Sequence, residues 1–271
     1  GSVPIDNSIV LSLEKMNKIV EIDVKNRLAI VQPGVINKVL QDELKKLNFF
    51  WGPDPSSQDY STIGGNIANN SAGPRAIKYG TPRDNILGIE FISGTGQIFK
   101  TGVKTSKGVV GLDLTRIFPG SEGILGILTK ATLKILPLNN SVRTIEITFN
   151  NFDEASQTII SLMTQPLTPY KLEFIDEESI KLINTIKKNH YDESARSAVL
   201  LEIDGENEYI DLMLDKILKI IKKNKYNKLT VANEKIEVER LWEARKSLSP
   251  ALREIGGYKI NEDIAVPISN L

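Results

Sequence analysis

The sequence predicts an α+β protein of two domains, and three observations predict it. A chain of 271 residues with 41% hydrophobic content is long enough for two cores. Its first half carries short apolar runs separated by Asn, Lys and Asp, the pattern of neighbouring strands. After Asn139 and Asn140 strands alternate closely with amphipathic helices, which suggests a sheet with helices on one face. The expected domains are therefore residues 1–138 and 139–271.

In chain order, residues 9–13, 19–22 and 28–31 read as three strands. Pro33 and Gly34 end the third, and Val35, Val39, Leu40, Leu44 and Leu47 then recur at helical spacing. Phe49, Phe50 and Trp51 follow as core packing. Residues 86–93 and 97–100 pair as a hairpin across Gly94-Thr95-Gly96. Residues 101–111 read as a basic loop whose Lys104 and Lys107 could approach a phosphate, with solvation the favoured reading, and a strand then runs to Pro137. In the second half, Ile145, Ile147 and Phe149 alternate on one strand face, and strands are also expected at 170–175, 198–203 and 229–232. Helices are expected at 152–163, 177–188, 210–221 and 236–252.

Two stretches are too rich in backbone-shaping residues to be linkers. Residues 53–74 read PDPSSQDYSTIGGNIANNSAGP, where Gly64 and Gly65 let main chain turn sharply and lie against a ligand. Bare N–H groups beside Asn amides suit an anionic, hydrogen-bond-rich ligand such as a nucleotide diphosphate; a surface loop capping a short helix is the competing reading. Residues 120–127 read GSEGILGI, but a strand-like alternation follows where a dinucleotide fingerprint needs a helix. No GK[ST] follows either run, so a P-loop is excluded as well.

Composition narrows the function classes. Thirty-four basic residues balance thirty-four acidic ones, so no bulk field draws the chain to nucleic acid. There is no cysteine, hence no disulfide, thiolate metal site or cysteine nucleophile. No apolar run approaches the ~18 residues of a membrane span. A cytoplasmic setting fits, with peripheral contact to a membrane's inner face left open.

The blocks PDPSS, TIGGNIANNSAGP, KYGTPRDNILGIE, GLDLTRIFPGSEGILGI and KINEDIAVP, in that order, resemble the FAD-linked 2-hydroxyacid oxidoreductases of the vanillyl-alcohol oxidase and para-cresol methylhydroxylase type. Within them the likeness is greatest to the catalytic, FAD-binding subunit of glycolate oxidase and to D-lactate dehydrogenases, and it covers essentially the whole chain. The resemblance implies an FAD-binding domain of the para-cresol methylhydroxylase type over 1–138, lacking its first subdomain, and an incomplete α+β substrate (cap) domain with an antiparallel sheet over 139–271. It implies oxidation of a D-2-hydroxy acid, such as glycolate or D-lactate, to the 2-oxo acid, with hydride passing to flavin N5. A non-catalytic or degenerate flavin-binding fragment is the alternative.

Carried over residue by residue, the resemblance assigns FAD contacts to Pro53, Asp54, Ser56, Ile63, Gly64, Gly65, Asn66, Asn69 and Gly73, and to Glu122, Gly126 and Ile127 in the second block. Of these, Gly64 and Gly65 are the strongest, their peptide N–H groups expected to meet the diphosphate. It assigns the substrate carboxylate to Arg245, Ser249 and Lys259, in the WEAR and YKINED contexts. Bare, Arg245 on a charged helix reads as a surface ion-pair partner. His190 reads as a solvated residue at a polar helix end, so the proton acceptor is expected outside the chain, which looks truncated at both ends. With no cysteine and His190 in the second domain, the FAD is expected to be non-covalent. The resemblance also implies partner redox subunits, iron–sulfur or a second flavin subunit, and no metal site is expected within these residues.

Overall fold

The computed structural model describes residues 3–105, 107–188, 190–232, 234–254, 256 and 266–270. The chain forms two compact units, residues 1–138 and 139–271. Each holds its own antiparallel sheet.

In the first unit the strands are β1 (Ile19–Asp23), β2 (Leu28–Val31), β3 (Phe49–Trp51), β4 (Ile86–Ile92), β5 (Ile98–Gly102) and β6 (Ile127–Pro137), with helices α1 (Asn37–Lys45), α2 (Ile63–Ala68) and α3 (Ala76–Tyr79). The sheet runs β1-β2-β6-β4-β5, and β3 pairs with β6 beyond β2's register. The long β6 organises it because its sequence alternates: Ala131, Leu133 and Ile135 are fully buried, while Lys130, Thr132 and Lys134 take the other face. Leu40 and Leu44 of α1, Trp51 of β3 and Ile63 and Ile67 of α2 complete the core. Each fully buried Leu or Ile contributes about 1.5–3 kcal/mol. The aromatic segment is core as expected: Trp51 is inaccessible, and its indole N–H donates to the Asn85 carbonyl at 3.1 Å.

The expected strand at 9–13 does not form, and Ile9 and Val10 are exposed. An apolar run becomes a strand only with a ladder partner, and β1 ends the sheet on that side. The following turn instead covers Gly34, whose N–H donates to Met16 O at 2.7 Å.

The second unit contains β7 (Ser141–Phe149), α4 (Phe152–Met163), β8 (Lys171–Ile175), α5 (Glu177–Ile186), β9 (Ser197–Gly205), α6 (Ile210–Ile221), β10 (Lys228–Ala232) and α7 (Lys235–Glu254), with sheet order β10-β7-β9-β8. Asn151 and Asp176 cap α4 and α5 by accepting the N–H groups of Glu154 and Ser179. Helices were expected on one face of the sheet, and they cover both. Ile145, Ile147 and Phe149 of β7 with Val199, Leu201 and Ile203 of β9 pack against Ile159 and Leu162 of α4 and Ile210, Ile217 and Ile221 of α6. On the opposite face Ile175 and Ala198 meet α5 and Ala244 of α7, while Leu200 and Ala232 meet Leu241. The cause is legible in β9, whose residues are buried without exception, the signature of a strand covered on two sides.

That second face is also polar. Its rows run across the strands in register: Thr144, Glu202 and Lys171 in one, and Glu146, Leu200 and Glu173 in the next.

Candidate functional site

In the first unit the two glycine-rich blocks are joined by backbone hydrogen bonds. α2 is capped by Thr62, whose hydroxyl accepts the Gly65 N–H at 3.1 Å. Its last carbonyls take donors from the second block: Gly120 N–H bonds Ile67 O at 3.1 Å and Glu122 N–H bonds Ala68 O at 2.8 Å. Arg83 closes the junction, its guanidinium donating to Pro119 O at 2.9 Å and its N–H to the Asn70 side-chain oxygen at 3.0 Å. Asn70 and Glu122 hold φ of 49° and 52°, conformations sustained only where surroundings dictate them.

Gly64 and Gly65, expected to face a diphosphate, are engaged within the fold. The Gly64 N–H donates to Pro33 O at 2.8 Å and the Gly65 N–H to the Thr62 hydroxyl at 3.1 Å. A Cβ on Gly64 would lie 2.6 Å from Pro33 Cβ, so its smallness serves the packing of α2 on that proline. Ile63 is wholly buried in the core. Asn66 is buried too, its side-chain oxygen accepting from Asn37 at 2.9 Å. Pro53 is buried, and Ser56 is exposed before the helix. Asn69 caps α2, its amide donating to Gly65 O at 2.9 Å. Gly73 packs hardest: an added Cβ would fall 2.0 Å from Asp54 O. Asp54 also accepts the Arg75 N–H at 3.0 Å and pairs with its guanidinium at 3.3 Å. Glu122 is exposed, Gly126 lies against the end of β4, and Ile127 opens β6 half-exposed.

The bare donors lie elsewhere in the same two blocks. Among the described residues, the N–H groups of Ala72, Gly73, Gly123 and Leu125 meet no acceptor, and the Ser121 hydroxyl is buried without a partner. Gly123, at φ 85°, has open space where a Cβ would be. Such a set of exposed amides and an orphaned hydroxyl fits an anionic, oxygen-rich group. By contrast, the groove of about 270 Å³ on the outer sheet face, over Gly88 and Gly102, has its charges satisfied internally. Burial of Glu90 there works against ionisation, yet bonds from Lys130, Lys100 and Thr129 hold its carboxyl below the ordinary value.

In the second unit, α7 is fastened to the polar sheet face by side chains. Glu202, nearly inaccessible, accepts from Trp242 Nε1 at 2.6 Å and Thr144 Oγ1 at 3.0 Å, and pairs with Lys171 at 2.8 Å. The Lys171 ammonium lies 4.6 Å from the Trp242 ring centroid, a cation–π contact. One turn on, Arg245 Nε donates to Glu173 Oε2 at 2.9 Å, and Nη2 forms an ion pair with the same oxygen at 2.9 Å. Ser249, a further turn along, is on the same helix side and exposed. Lys259 lies outside the described residues.

His190 is not solvated. Its side chain is only 9% exposed, with Nε2 3.5 Å from Glu146 Oε2. Burial pushes the neighbouring Tyr191 hydroxyl far above its ordinary pKa, and the Glu146 charge adds to this while Arg245 opposes it. Tyr191 therefore stays neutral, and its hydroxyl meets no hydrogen-bond partner among the described residues. Glu173, Glu202, Lys171, Glu146 and Tyr191 were not singled out from sequence. The one available signal was charge at alternate positions inside otherwise apolar strands, Lys171/Glu173 and Glu202/Asp204.

Comparison with known proteins gives these two units their class. The model of an FAD binding domain matches residues 1–102, and that of the C-terminal domain of FAD linked oxidases matches residues 138–271. The chain belongs to the FAD-linked oxidases, flavoproteins of the para-cresol methylhydroxylase fold, and its cofactor is FAD. It is 39% identical to the glycolate oxidase subunit GlcD of Bacillus subtilis over all of its own length and 58% of that protein's. To the D-lactate dehydrogenase of Anaerostipes hadrus it is 37% identical over 66% of this chain and 38% of the other. Among solved structures, p-cresol methylhydroxylase superposes with a TM-score of 0.65 at 18% identity, over 80% of this chain and 48% of that one. The chain thus spans about half the length of the relatives it matches, and no described helix is long and apolar enough to cross a membrane.

Proposed function

We propose that this chain takes part in the FAD-dependent oxidation of a D-2-hydroxy acid, glycolate, D-lactate or a close analogue, to the 2-oxo acid. The observation that carries the reading is Arg245, a guanidinium anchored on α7 above the polar sheet face of a domain matched to FAD-linked oxidases. The relatives named for glycolate and D-lactate oxidoreduction support the same class of substrate.

Bound non-covalently, FAD supplies the two-electron acceptor for the hydrogen at substrate C2. The bare N–H groups of Ala72, Gly73, Gly123 and Leu125, with Ser121 Oγ, are the donors that would hold its anionic portion, and Glu122 would accept from its hydroxyl or amino groups. Arg245 presents a planar fork to the substrate carboxylate, which Lys replaces poorly at such a site. Ser249 adds a hydroxyl one turn away, and Lys259 a second cation. Tyr191, held in its neutral form, has a buried hydroxyl with no partner among the described residues, which could offer a hydrogen bond without adding charge. The relative named as a subunit supports a partner redox subunit as well.

The test is anaerobic reduction of the flavin in the full-length protein by glycolate, D-lactate and D-2-hydroxyglutarate. Bleaching by at least one of them, with the L-lactate enantiomer inactive, is expected; an unchanged oxidised spectrum with all of them would overturn the reading.

A further inference from the structure

We propose that Glu173 is a positioning residue for Arg245 that also competes with the substrate's carboxylate for the guanidinium. The inference rests on the assignment of Arg245 to the substrate carboxylate and says how that site is tuned.

The Nε–H of Arg245 donates to Glu173 Oε2 at 2.9 Å, and Nη2 stands 2.9 Å from the same oxygen as an ion pair. The fork is therefore engaged along its Nε edge by one oxygen instead of two. Among the described residues Nη1 has no partner, and neither does Glu173 Oε1. A planar carboxylate arriving along the Nη1/Nη2 edge would find one unused donor and one shared with Glu173. The arrangement fixes the plane of the guanidinium while leaving an edge for a second anion.

Magnitude decides whether Glu173 can yield. The Arg245 side chain is 35% exposed and that of Glu173 19%. A single pair this open to water contributes about 1 kcal/mol or less, so an incoming anion can share or displace it. The contrast is one row away on the same sheet face, where Glu202 is 4% exposed and accepts Trp242, Thr144 and Lys171 together. That carboxylate is structural and has no spare capacity. Glu173 has one donor residue, one idle oxygen and a path to solvent.

The two roles have opposite signatures in kinetics. As a like charge beside the substrate carboxylate, Glu173 weakens binding; as the holder of the guanidinium plane, it supports turnover. In the FAD-loaded full-length protein, Glu173→Gln is expected to lower KM for the 2-hydroxy acid about threefold, and to tighten binding of unreactive oxalate, read by flavin absorbance, by the same factor. It is expected to lower kcat about tenfold through looser orientation. Glu173→Asp, which keeps the charge but withdraws it by one methylene, should restore KM to near the wild-type value while kcat stays reduced. Glu178→Gln, at an exposed site on α5, is the control and should change neither constant.

An unchanged or raised KM in Glu173→Gln, with oxalate affinity not improved, overturns the proposal. Arg245→Ala separates this failure from failure of the underlying assignment. If Arg245→Ala abolishes oxalate binding and Glu173→Gln has no effect, only the competition is wrong. If Arg245→Ala binds oxalate as wild type does, Arg245 is not the carboxylate site and the proposal falls with that assignment.

Discussion

The two units hold their signature residues by opposite means. In the first, main chain meets main chain: α2 is capped by the turn at 120–122, and Gly73 lies so close to Asp54 that no side chain fits between them. In the second, side chains reach across strands, with Glu202 taking Lys171, Trp242 and Thr144 and Glu173 taking Arg245. Close backbone contact tolerates almost no substitution, whereas an ion pair can be exchanged for another anion. Under the proposed function, a frame for a large cofactor suits the first device, and a site where a small acid comes and goes suits the second.

The largest effect expected from breaking this contrast is at Gly73. Gly73→Val would force a Cβ to 2.0 Å from the Asp54 carbonyl and should cost at least about 3 kcal/mol, seen as a large drop in the melting temperature of the first unit. Glu202→Leu comes next: it leaves Lys171 without its buried partner and should cost about 3 kcal/mol by denaturant titration. Adding Lys171→Met should recover much of that loss, because the stranded charge is then gone.

These two positions also show what could be read from sequence. The glycine blocks were legible because local sterics write themselves into local sequence, as did the strand alternation of β6 and the helix stripes. The reason for Gly64 was not, since the atom that demands it, Pro33 Cβ, is thirty-one positions upstream. Likewise the partners of Arg245 and Trp242 lie on strands far back in the chain, and no periodicity announces a pairing across a sheet. His190 was misread for the same reason: its neighbours in sequence are polar, but a fold that brings Glu146 beside it buries the ring.

A smaller effect sharpens the point about Gly64. Gly64→Ala should destabilise by about 1–3 kcal/mol through overpacking on Pro33, whereas Gly65→Ala, whose Cβ would stand 3.2 Å from Thr62 Oγ1, should stay near wild type in a thermal melt. Were these glycines needed only by the ligand, both variants would melt as wild type without FAD.

The smallest expected effect is at Asp84, which accepts from Thr81 N and Oγ1 at 2.9 and 3.0 Å. The backbone bond from Thr81 leads in holding its carboxyl below the ordinary value, with burial opposing. Its contribution is therefore present at neutral pH and lost as pH falls through that lowered value. Asp84→Asn should cost about 0.5–1 kcal/mol at pH 7, and the two proteins should converge in acid.

The central proposal is that the first unit grips the flavin with its backbone while the second holds the substrate's carboxylate with Arg245. Its most direct test is the ratio of bound FAD to folded full-length protein for Gly73→Val and Arg245→Ala, each reconstituted with excess cofactor. The account predicts little or no flavin in the first and a full complement in the second. A fully loaded Gly73→Val protein, or an Arg245→Ala protein without flavin, would contradict it.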